Sequence, residues 1–278
     1  MKTNFKNGNT YIVSDGLFDL EKTFSCGQCF RFEKCEKGFT GIAYGKRMMV
    51  YEENGCIVLA GVDETEYNTI WKDFFDLQRD YSKINEVLSH DTTVENAIKL
   101  ARGIRILRQE KWETLCSFII SQNNNIPRIK GIINRFCELL GEKTDGDYSF
   151  PTAEKTFAAG VEALAPIRAG FRARYIIDAA QKVLSKEVDL DQIEKMSYID
   201  AKQTLMKIKG VGSKVSDCVL LFGYGFFDAF PKDVWIKRVI EKYYGDTFDE
   251  SIFAPYGGIA QQYLFYYERE VSKQSKTS

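Results

Sequence analysis

The sequence predicts an α+β protein in which an N-terminal antiparallel β-sheet domain precedes a mainly α-helical region. Short segments of alternating or continuous apolar residues between residues 28 and 61 predict the strands. The tight turn signals Tyr44-Gly45 and Asn54-Gly55 join them as hairpins, which favours antiparallel pairing. From residue 64 onward, apolar residues recur at spacings of three and four, which is typical of amphipathic helices.

The strands are predicted over residues 28–35, 39–45, 47–53 and 56–61. The helices are predicted over residues 65–77, 81–90, 92–102, 112–122, 126–142, 171–186, 198–208, 213–223, 233–244 and 260–271. We expect the N-terminal domain, with its flanking helices, to span residues 1–103 and the helical region to span residues 104–278. Within the helical region, two helices joined by a Gly-Val-Gly turn predict a helix-hairpin-helix over about residues 198–223.

Composition excludes several classes of function. No apolar run approaches the roughly 18 residues of a membrane span, and residues 1–13 lack the apolar centre of a signal peptide, so we expect an intracellular protein, cytoplasmic or associated with the nucleoid. Seven cysteines, an odd number, favour reduced thiols. Because His90 is the only histidine, the sequence disfavours a Ser-His-Asp triad and a histidine-rich metal site. A net charge of −1 argues against a uniformly basic nucleic-acid binder but allows local basic patches.

Cys26-Gly-Gln-Cys29 has the spacing of a zinc or redox motif. A zinc site needs further ligands at a suitable spacing, and the other cysteines do not supply them. A thioredoxin-type site begins a helix, whereas this motif leads into a predicted strand. We therefore predict a turn before a strand and no metal site.

The helix-hairpin-helix places Lys214 in the first turn of its second helix. Cys218 and Phe222 follow at i+4 and i+8, so Lys214 shares an apolar stripe with them. Either the side chain extends past the core to water, or its amine is a nucleophile suited to Schiff-base chemistry. The flanking glycines and lysines suit phosphate contact, although an αα turn without a ligand has the same pattern. Asp233 is either a helix N-cap or a carboxylate that stabilises positive charge on a sugar.

Several blocks together resemble the 8-oxoguanine DNA glycosylase family of the helix-hairpin-helix superfamily. The hairpin GVGSKVSDC with the aspartate of FPKDV resembles the superfamily. The narrower resemblance rests on GIRILRQEKWETLCSFIISQNNNIPRIKGII, AGFRARYI, SCGQCFRF and PYGGIAQQYLF, which occur in the family's order over nearly the whole chain.

The resemblance implies a bifunctional glycosylase and abasic-site lyase. Lys214 matches the nucleophile that attacks C1′ of the deoxyribose, and Asp233 matches the catalytic aspartate. Gly27 matches a glycine whose carbonyl accepts a hydrogen bond from N7–H of 8-oxoguanine, a proton that guanine lacks. An unpaired buried carbonyl costs about 1–3 kcal/mol, so this one N7–H donor can discriminate 8-oxoguanine from guanine.

The resemblance also implies two further groups of residues. Gln261 and Phe265 match residues that hold and stack on the flipped base, and Cys218 and Phe222 match the opposite wall of the pocket. The residues that match DNA contacts are Asn123, which fills the space left by the base, Arg128 and Arg172, which contact the orphaned cytosine, the aromatic wedge Phe171, and the hairpin residues Gly210, Val211 and Gly212.

The chain departs from the family pattern at four places. Trp235 replaces a usual phosphate-contacting histidine, which puts that contact in doubt. Phe171 replaces a tyrosine and Phe222 a methionine, and Ile208-Lys209 replaces Leu-Pro before the hairpin. None of these changes Lys214 or Asp233.

We therefore expect a monomer that acts on double-stranded DNA containing 8-oxoguanine, and the resemblance at Arg128 and Arg172 implies cytosine opposite the lesion. The resemblance implies no organic or redox cofactor, and it allows a structural cation at the hairpin carbonyls without requiring one. Two alternatives stay open. One is a glycosylase for a different base, such as an oxidised pyrimidine or adenine mispaired with 8-oxoguanine, and the other is a non-catalytic helix-hairpin-helix DNA-binding protein.

Overall fold

A six-stranded antiparallel sheet forms the N-terminal layer of the computed structural model, which describes residues 1–144 and 146–277. Its strands are β1 (Thr3–Lys6), β2 (Asn9–Val13), β3 (Phe32–Lys34), β4 (Phe39–Ala43), β5 (Lys46–Glu53) and β6 (Cys56–Ala60). Their order in the sheet is β1-β2-β6-β5-β4-β3, and every neighbouring pair is antiparallel. The predicted antiparallel sheet is therefore confirmed.

The sheet differs from the prediction at two places. The hairpin of β1 and β2 was not predicted, although its turn, Asn7-Gly8, has positive φ at both residues, as a type I′ turn requires. The strand predicted from residue 28 begins only at Phe32. Residues before it form an irregular segment, in which Cys26 and Phe30 pack into the helical core instead of the sheet.

Helices make up most of the chain after the sheet. They are α1 (Leu20–Ser25), α2 (Glu64–Glu66), α3 (Lys72–Phe74), α4 (Tyr81–Leu88), α5 (Thr92–Ala101), α6 (Lys111–Ser121), α7 (Ile126–Leu140), α8 (Ala153–Ala163), α9 (Arg172–Leu184), α10 (Tyr198–Leu205), α11 (Ser213–Val219), α12 (Val234–Val239) and α13 (Gly257–Thr277). Single π-helical segments, Tyr67–Trp71, Leu220–Tyr224 and Ile240–Tyr244, connect α2 to α3 and extend α11 and α12. A short hairpin, β7 (Lys143–Thr144) and β8 (Asp147–Tyr148), follows α7.

Each predicted helix is present, and α1 and α8 were not predicted. Helix α1 is six residues long, too short for a periodic pattern, and Asp19 caps it by accepting from the Lys22 N–H at 2.9 Å. Helix α8 contains Gly160 at φ +73°, a non-helical conformation that interrupts its periodicity. Short length and an internal glycine therefore account for both omissions.

The described residues form two hydrophobic cores. The sheet core lies under the sheet and is rich in aromatic rings, with Phe24 stacked on Phe32 at a centroid distance of 4.5 Å. The helical core contains residues from α4 onward together with Cys26 and Phe30 from the segment before the sheet. Buried Arg105 links the two, because its side chain donates to the Phe75 carbonyl and stacks on Tyr81 at 3.8 Å. The domain boundary at residue 103 stays a prediction.

Candidate active site

A small cleft opens where α11, α12, α13 and the segment after α1 meet. Its lining includes all seven residues predicted for catalysis or base binding, namely Gly27, Lys214, Cys218, Phe222, Asp233, Gln261 and Phe265. The fold therefore brings together residues that are up to 238 positions apart in the sequence (265 − 27).

Lys214 reaches the cleft from the first turn of α11. Its Nζ lies 5.4 Å from the centre of the Phe118 ring, within reach of a cation–π interaction. One turn later, burial raises the pKa of the Cys218 thiol to about 11, although Lys214 opposes that rise through its charge and a hydrogen bond. Cys218 is therefore a neutral thiol beside the amine. The predicted stripe of Lys214, Cys218 and Phe222 is present, and all three residues line the cleft.

Asp233 caps α12, as one of its two predicted roles requires. Its Oδ1 accepts from the backbone N–H groups of Trp235 at 3.0 Å and Ile236 at 2.9 Å. Burial raises the pKa of its carboxyl, while these N–H groups and the charge of Lys214 act against that rise. The cap fixes the carboxylate close enough to Lys214 for their charges to interact, so the capping role and a catalytic role are compatible.

The backbone at Gly27 is held by buried glutamines. Gln28 donates to the Arg105 carbonyl at 2.7 Å, and Gln262 donates to the Cys26 carbonyl at 2.7 Å. Gly27 itself has φ +78°, a conformation that suits glycine. No described residue donates a hydrogen bond to its carbonyl oxygen. The segment is therefore fixed on both sides of a carbonyl that has no intramolecular partner in the described chain.

Gln261 lines the cleft and carries an unpaired polar atom. Its side chain is 4% exposed, and its Oε1 is the one buried side-chain oxygen or nitrogen of the described residues without a hydrogen-bond partner. Phe265, one turn further along α13, lines the same cleft, which confirms the predicted shared face. Because buried polar atoms are nearly always paired, an unpaired amide oxygen in a residue that lines a cleft favours a polar ligand at that residue.

A larger groove continues from the cleft. Asn123 and the hairpin residue Gly212 line it. Its charged lining residues are Lys214, Lys232, Lys237 and Arg269 against the single carboxylate of Asp233. The groove is therefore positively charged although the whole chain is nearly neutral, which suits a polyanion such as a nucleic acid.

The hairpin is held together by a partly buried ion pair. The Lys202 Nζ lies 2.8 Å from Oδ1 of Asp217, and the Tyr198 hydroxyl donates to the same carboxylate at 2.7 Å. These contacts join α10 to α11, so they fix the direction of the helix that carries Lys214.

The two hairpin glycines have different surroundings. Gly210 has φ +77°, and a Cβ there would lie 2.2 Å from the Tyr175 ring. At Gly212, an added Cβ would have no atom within 4 Å. Val211, between the two glycines, is 5% exposed and packs into the core. Gly210 therefore allows close packing within the protein, and Gly212 leaves backbone open toward the groove.

The remaining predicted DNA contacts lie outside the cleft. The Arg172 side chain is buried and donates to the Gln122 and Asn123 carbonyls, whereas Arg128 is exposed. Phe171 is 52% exposed and lies against the Arg172 guanidinium at 4.4 Å. From the sequence alone, Phe171 would pass for a core residue. Its exposure excludes that role.

Sequence reasoning missed Phe118 and the supporting glutamines. Phe118 is 3% exposed and stacks on Phe222 at 5.3 Å, so it forms one wall of the cleft. Nothing distinguishes it in the sequence from other apolar residues of α6. Gln28 and Gln262 had a usable signal, because each is a polar residue within an otherwise apolar segment, as buried hydrogen-bonding residues often are.

Within residues 1–144 and 146–277, no group of three or more His, Cys, Asp or Glu side chains is arranged to hold a metal ion. In the same residues, no helix combines the length and the apolar character needed to cross a bilayer. A cation held by hairpin carbonyls stays a prediction.

Comparison with known proteins assigns both parts of the chain. Residues 10–115 match the model of the 8-oxoguanine DNA glycosylase N-terminal domain, and residues 116–251 match that of the HhH-GPD superfamily of base excision DNA repair proteins. An N-glycosylase/DNA lyase of Saccharomyces cerevisiae is 38% identical over 51% of this chain, and that match spans 42% of the yeast protein.

Solved structures match over almost their full length. The complex of MBOgg1 with a low-affinity DNA ligand is 43% identical, with a TM-score of 0.92 over 98% of this chain and 100% of that one. The 8-oxoguanine glycosylase/lyase of Clostridium acetobutylicum, bound to duplex DNA with cytosine opposite 8-oxoguanine, is 36% identical, with a TM-score of 0.92 over 98% and 99%. The fold, the two family models and these relatives agree, and the chain belongs to the 8-oxoguanine DNA glycosylase family.

Proposed function

We propose that this protein excises 8-oxoguanine from duplex DNA and then cleaves the strand at the abasic site through a Schiff base on Lys214. One observation carries the proposal. The cleft combines an amine and a carboxylate, Lys214 and Asp233, with two unpaired acceptors, the Gly27 carbonyl and the Gln261 Oε1. The first pair supplies the chemistry on a sugar, and the second pair supplies the recognition of a base.

Base recognition follows from the acceptors and the apolar walls. A purine between Phe265 and Cys218 would stack on an aromatic ring and an uncharged thiol. A carbonyl fixed at Gly27 favours a base with a proton at N7, as 8-oxoguanine has, because guanine would leave that carbonyl unpaired. The duplex bound to the Clostridium relative, which contains cytosine opposite 8-oxoguanine, supports this choice of substrate.

The chemical steps use Lys214 and Asp233. The Lys214 amine attacks C1′, the bond from C1′ to the base breaks, and the base leaves with the bonding electrons and takes a proton. Opening of the sugar at O4′ leaves a protonated imine between Nζ and C1′. Loss of a C2′ proton then expels the 3′-phosphate and nicks the strand, and water releases the enzyme. Asp233 stabilises the positive charge that develops at the sugar and the nitrogen.

The groove and hairpin supply the contacts with duplex DNA. The cleft accepts only a base that has left the stack, and the positive groove beside it suits the phosphates on either side of that base. Asn123 lines the groove next to the cleft, a location suited to the space that the base leaves. We also propose that the protein acts as a monomer in the compartment that contains the chromosome.

Borohydride trapping tests the proposal directly. The parent is incubated with duplexes that contain 8-oxoguanine opposite cytosine, an oxidised pyrimidine, or no lesion. Lys214→Gln removes the nucleophile, and Lys237→Gln is the matched control, because Lys237 is another groove lysine, exposed and outside the cleft. We expect a covalent protein–DNA product only with 8-oxoguanine, present in Lys237→Gln and absent in Lys214→Gln.

Other outcomes would replace the proposal with a defined alternative. A product with an oxidised pyrimidine instead of 8-oxoguanine would assign a different base. Base release without trapping would mean that water, not Lys214, attacks the sugar. Binding of all duplexes without release or trapping would leave a non-catalytic DNA-binding protein.

A further inference from the structure

Arg269 lies one turn after Phe265 on α13, where the cleft opens into the groove. Phe265 lines both the cleft and the groove, and Arg269 lines the groove. The guanidinium carbon lies 5.2 Å from the centre of the Phe265 ring, within the range of a cation–π interaction. Residues four apart share one face of a helix, so this contact is built into α13. Arg269 therefore supports the ring that is proposed to stack on the base.

The same guanidinium holds the segment that carries Gly27. Its Nη1 donates to the Ser25 carbonyl at 3.1 Å, and Ser25 is the last residue of α1. Gly27 follows two residues later, and a Cβ added to it would lie 3.5 Å from the Phe265 ring. The segment of the proposed recognition carbonyl and the proposed stacking ring are therefore neighbours, and Arg269 contacts both.

Arg269 keeps most of its hydrogen-bonding capacity. The bond to Ser25 leaves four of the five N–H groups of the guanidinium without a partner in residues 1–144 and 146–277, and the side chain forms no ion pair there. The carboxylates on either side of it in the sequence are paired with other cations, Glu268 with Lys242 at 3.3 Å and Glu270 with Lys273 at 2.6 Å. The planar fork of Arg269 is therefore available to an anion in the groove, and such a fork suits phosphate oxygens.

The DNA strand at the cleft supplies such an anion. A nucleotide whose base enters the cleft carries a phosphate on each side of its sugar, and the proposed chemistry places that sugar beside Lys214 and Asp233. Burial raises the pKa of Asp233, and the charge of Arg269 is among those that oppose the rise, so the guanidinium is within electrostatic reach of this place. A phosphate of the same strand therefore suits the free donors of Arg269.

We infer that Arg269 binds a phosphate of the lesion strand at the mouth of the cleft, and that through Ser25 and Phe265 it couples this contact to recognition of the base. The inference rests on the proposed function. When the strand is bound, one side chain fixes the backbone of the DNA, the segment of Gly27 and the stacking ring together. A base that enters the cleft then meets a site of defined shape.

DNA affinity measured over a range of salt concentrations tests both parts of this inference. All proteins carry Lys214→Gln, which blocks the chemistry so that binding reaches equilibrium, and the duplexes contain 8-oxoguanine or guanine opposite cytosine. Relative to Lys214→Gln alone, Arg269→Met should lower the slope of log K against log salt by about 1, as the loss of one phosphate contact does. The preference for the 8-oxoguanine duplex should fall about threefold to tenfold, the usual effect of one hydrogen bond.

Two further variants provide the controls. Lys237→Met removes another cation of the groove, exposed and outside the cleft, so it should lower the salt slope by about 1 and leave the preference for 8-oxoguanine unchanged. Arg269→Lys keeps the charge but loses the planar fork, so it should keep the salt slope and still lower the preference. A purely structural role for Arg269 would lower the Tm without changing the salt slope.

The results that overturn the inference are specific. A salt slope that Arg269→Met leaves unchanged would refute the phosphate contact, and a reduced slope with an unchanged preference would refute the coupling to the base. Both results concern Arg269 alone when the unmodified protein gives the borohydride-trapped product with 8-oxoguanine. An unmodified protein that gives no such product would refute the proposed function, and with it the coupling to base recognition.

Discussion

Replacing Gln261 by methionine should stabilise the protein and impair its chemistry. The Gln261 Oε1 is buried without a partner, and an unsatisfied buried polar atom costs about 1–3 kcal/mol. Methionine is unbranched and of similar length, so it can occupy the same space without that cost. We expect the free energy of unfolding to rise by about 1–2 kcal/mol, which raises the Tm by roughly 2–8 °C in a chain of this size.

The neighbouring residue provides the matched control. Gln262 is also buried, but its amide donates to the Cys26 carbonyl at 2.7 Å. Gln262→Met leaves that carbonyl unpaired and should lower the free energy of unfolding by about 1–3 kcal/mol. The same chemical change at adjacent positions of one helix should therefore shift stability in opposite directions.

Urea unfolding and calorimetry measure the stability, and single-turnover excision measures the function. For Gln261→Met we expect excision of 8-oxoguanine to slow by about 10- to 100-fold, the loss of one buried hydrogen bond worth about 1–3 kcal/mol. If Gln261→Met is destabilised as strongly as Gln262→Met, the oxygen is already satisfied in the free protein. That result would refute the argument that the Gln261 Oε1 is unpaired until a base binds.

Three further predictions concern the hairpin, a buried carboxyl and the groove. Gly210→Ala should lower the Tm because its Cβ would overlap the Tyr175 ring, whereas Gly212→Ala should leave the Tm unchanged and weaken DNA binding in a titration; equal Tm values would contradict this. Burial raises the pKa of Glu113 from 4.5 to about 7, so its contribution to stability is lost as the pH rises through 7. Glu113→Gln should therefore gain up to roughly 3 kcal/mol over the parent between pH 5 and pH 8 in urea unfolding, and a pH-independent difference would contradict the assignment. Trp235 lines the groove and its Nε1 has no described partner, so it can donate to a phosphate, and Trp235→Ala should cost about 1.5–3 kcal/mol of DNA affinity, with an unchanged Kd as the contradicting result.

The sequence predicted correctly those elements that short-range signals specify. The hairpin turn at Asn54-Gly55, the capping aspartate Asp233 and the stripe from Lys214 to Phe222 each depend on residues close together in the chain. Such signals are strong because turn chemistry, capping and helical periodicity act over a few residues. The same reasoning failed at Phe30, whose alternating pattern is that of a strand although it packs against Phe118 in the helical core.

What the sequence could not predict is which polar groups remain unpaired once the chain has folded. Gln261 and Gln262 are identical and adjacent, yet only the second finds an intramolecular acceptor, because the Cys26 carbonyl lies beside it and not beside its neighbour. The two arginines differ in the same way. Arg172 donates to backbone carbonyls, whereas the Arg128 side chain is exposed and leaves its donors available. Residue type sets the capacity for hydrogen bonds, but tertiary contacts decide how much of it is left over. In this protein, the unused capacity lies at the cleft and the groove, and it is there that a substrate can be recognised.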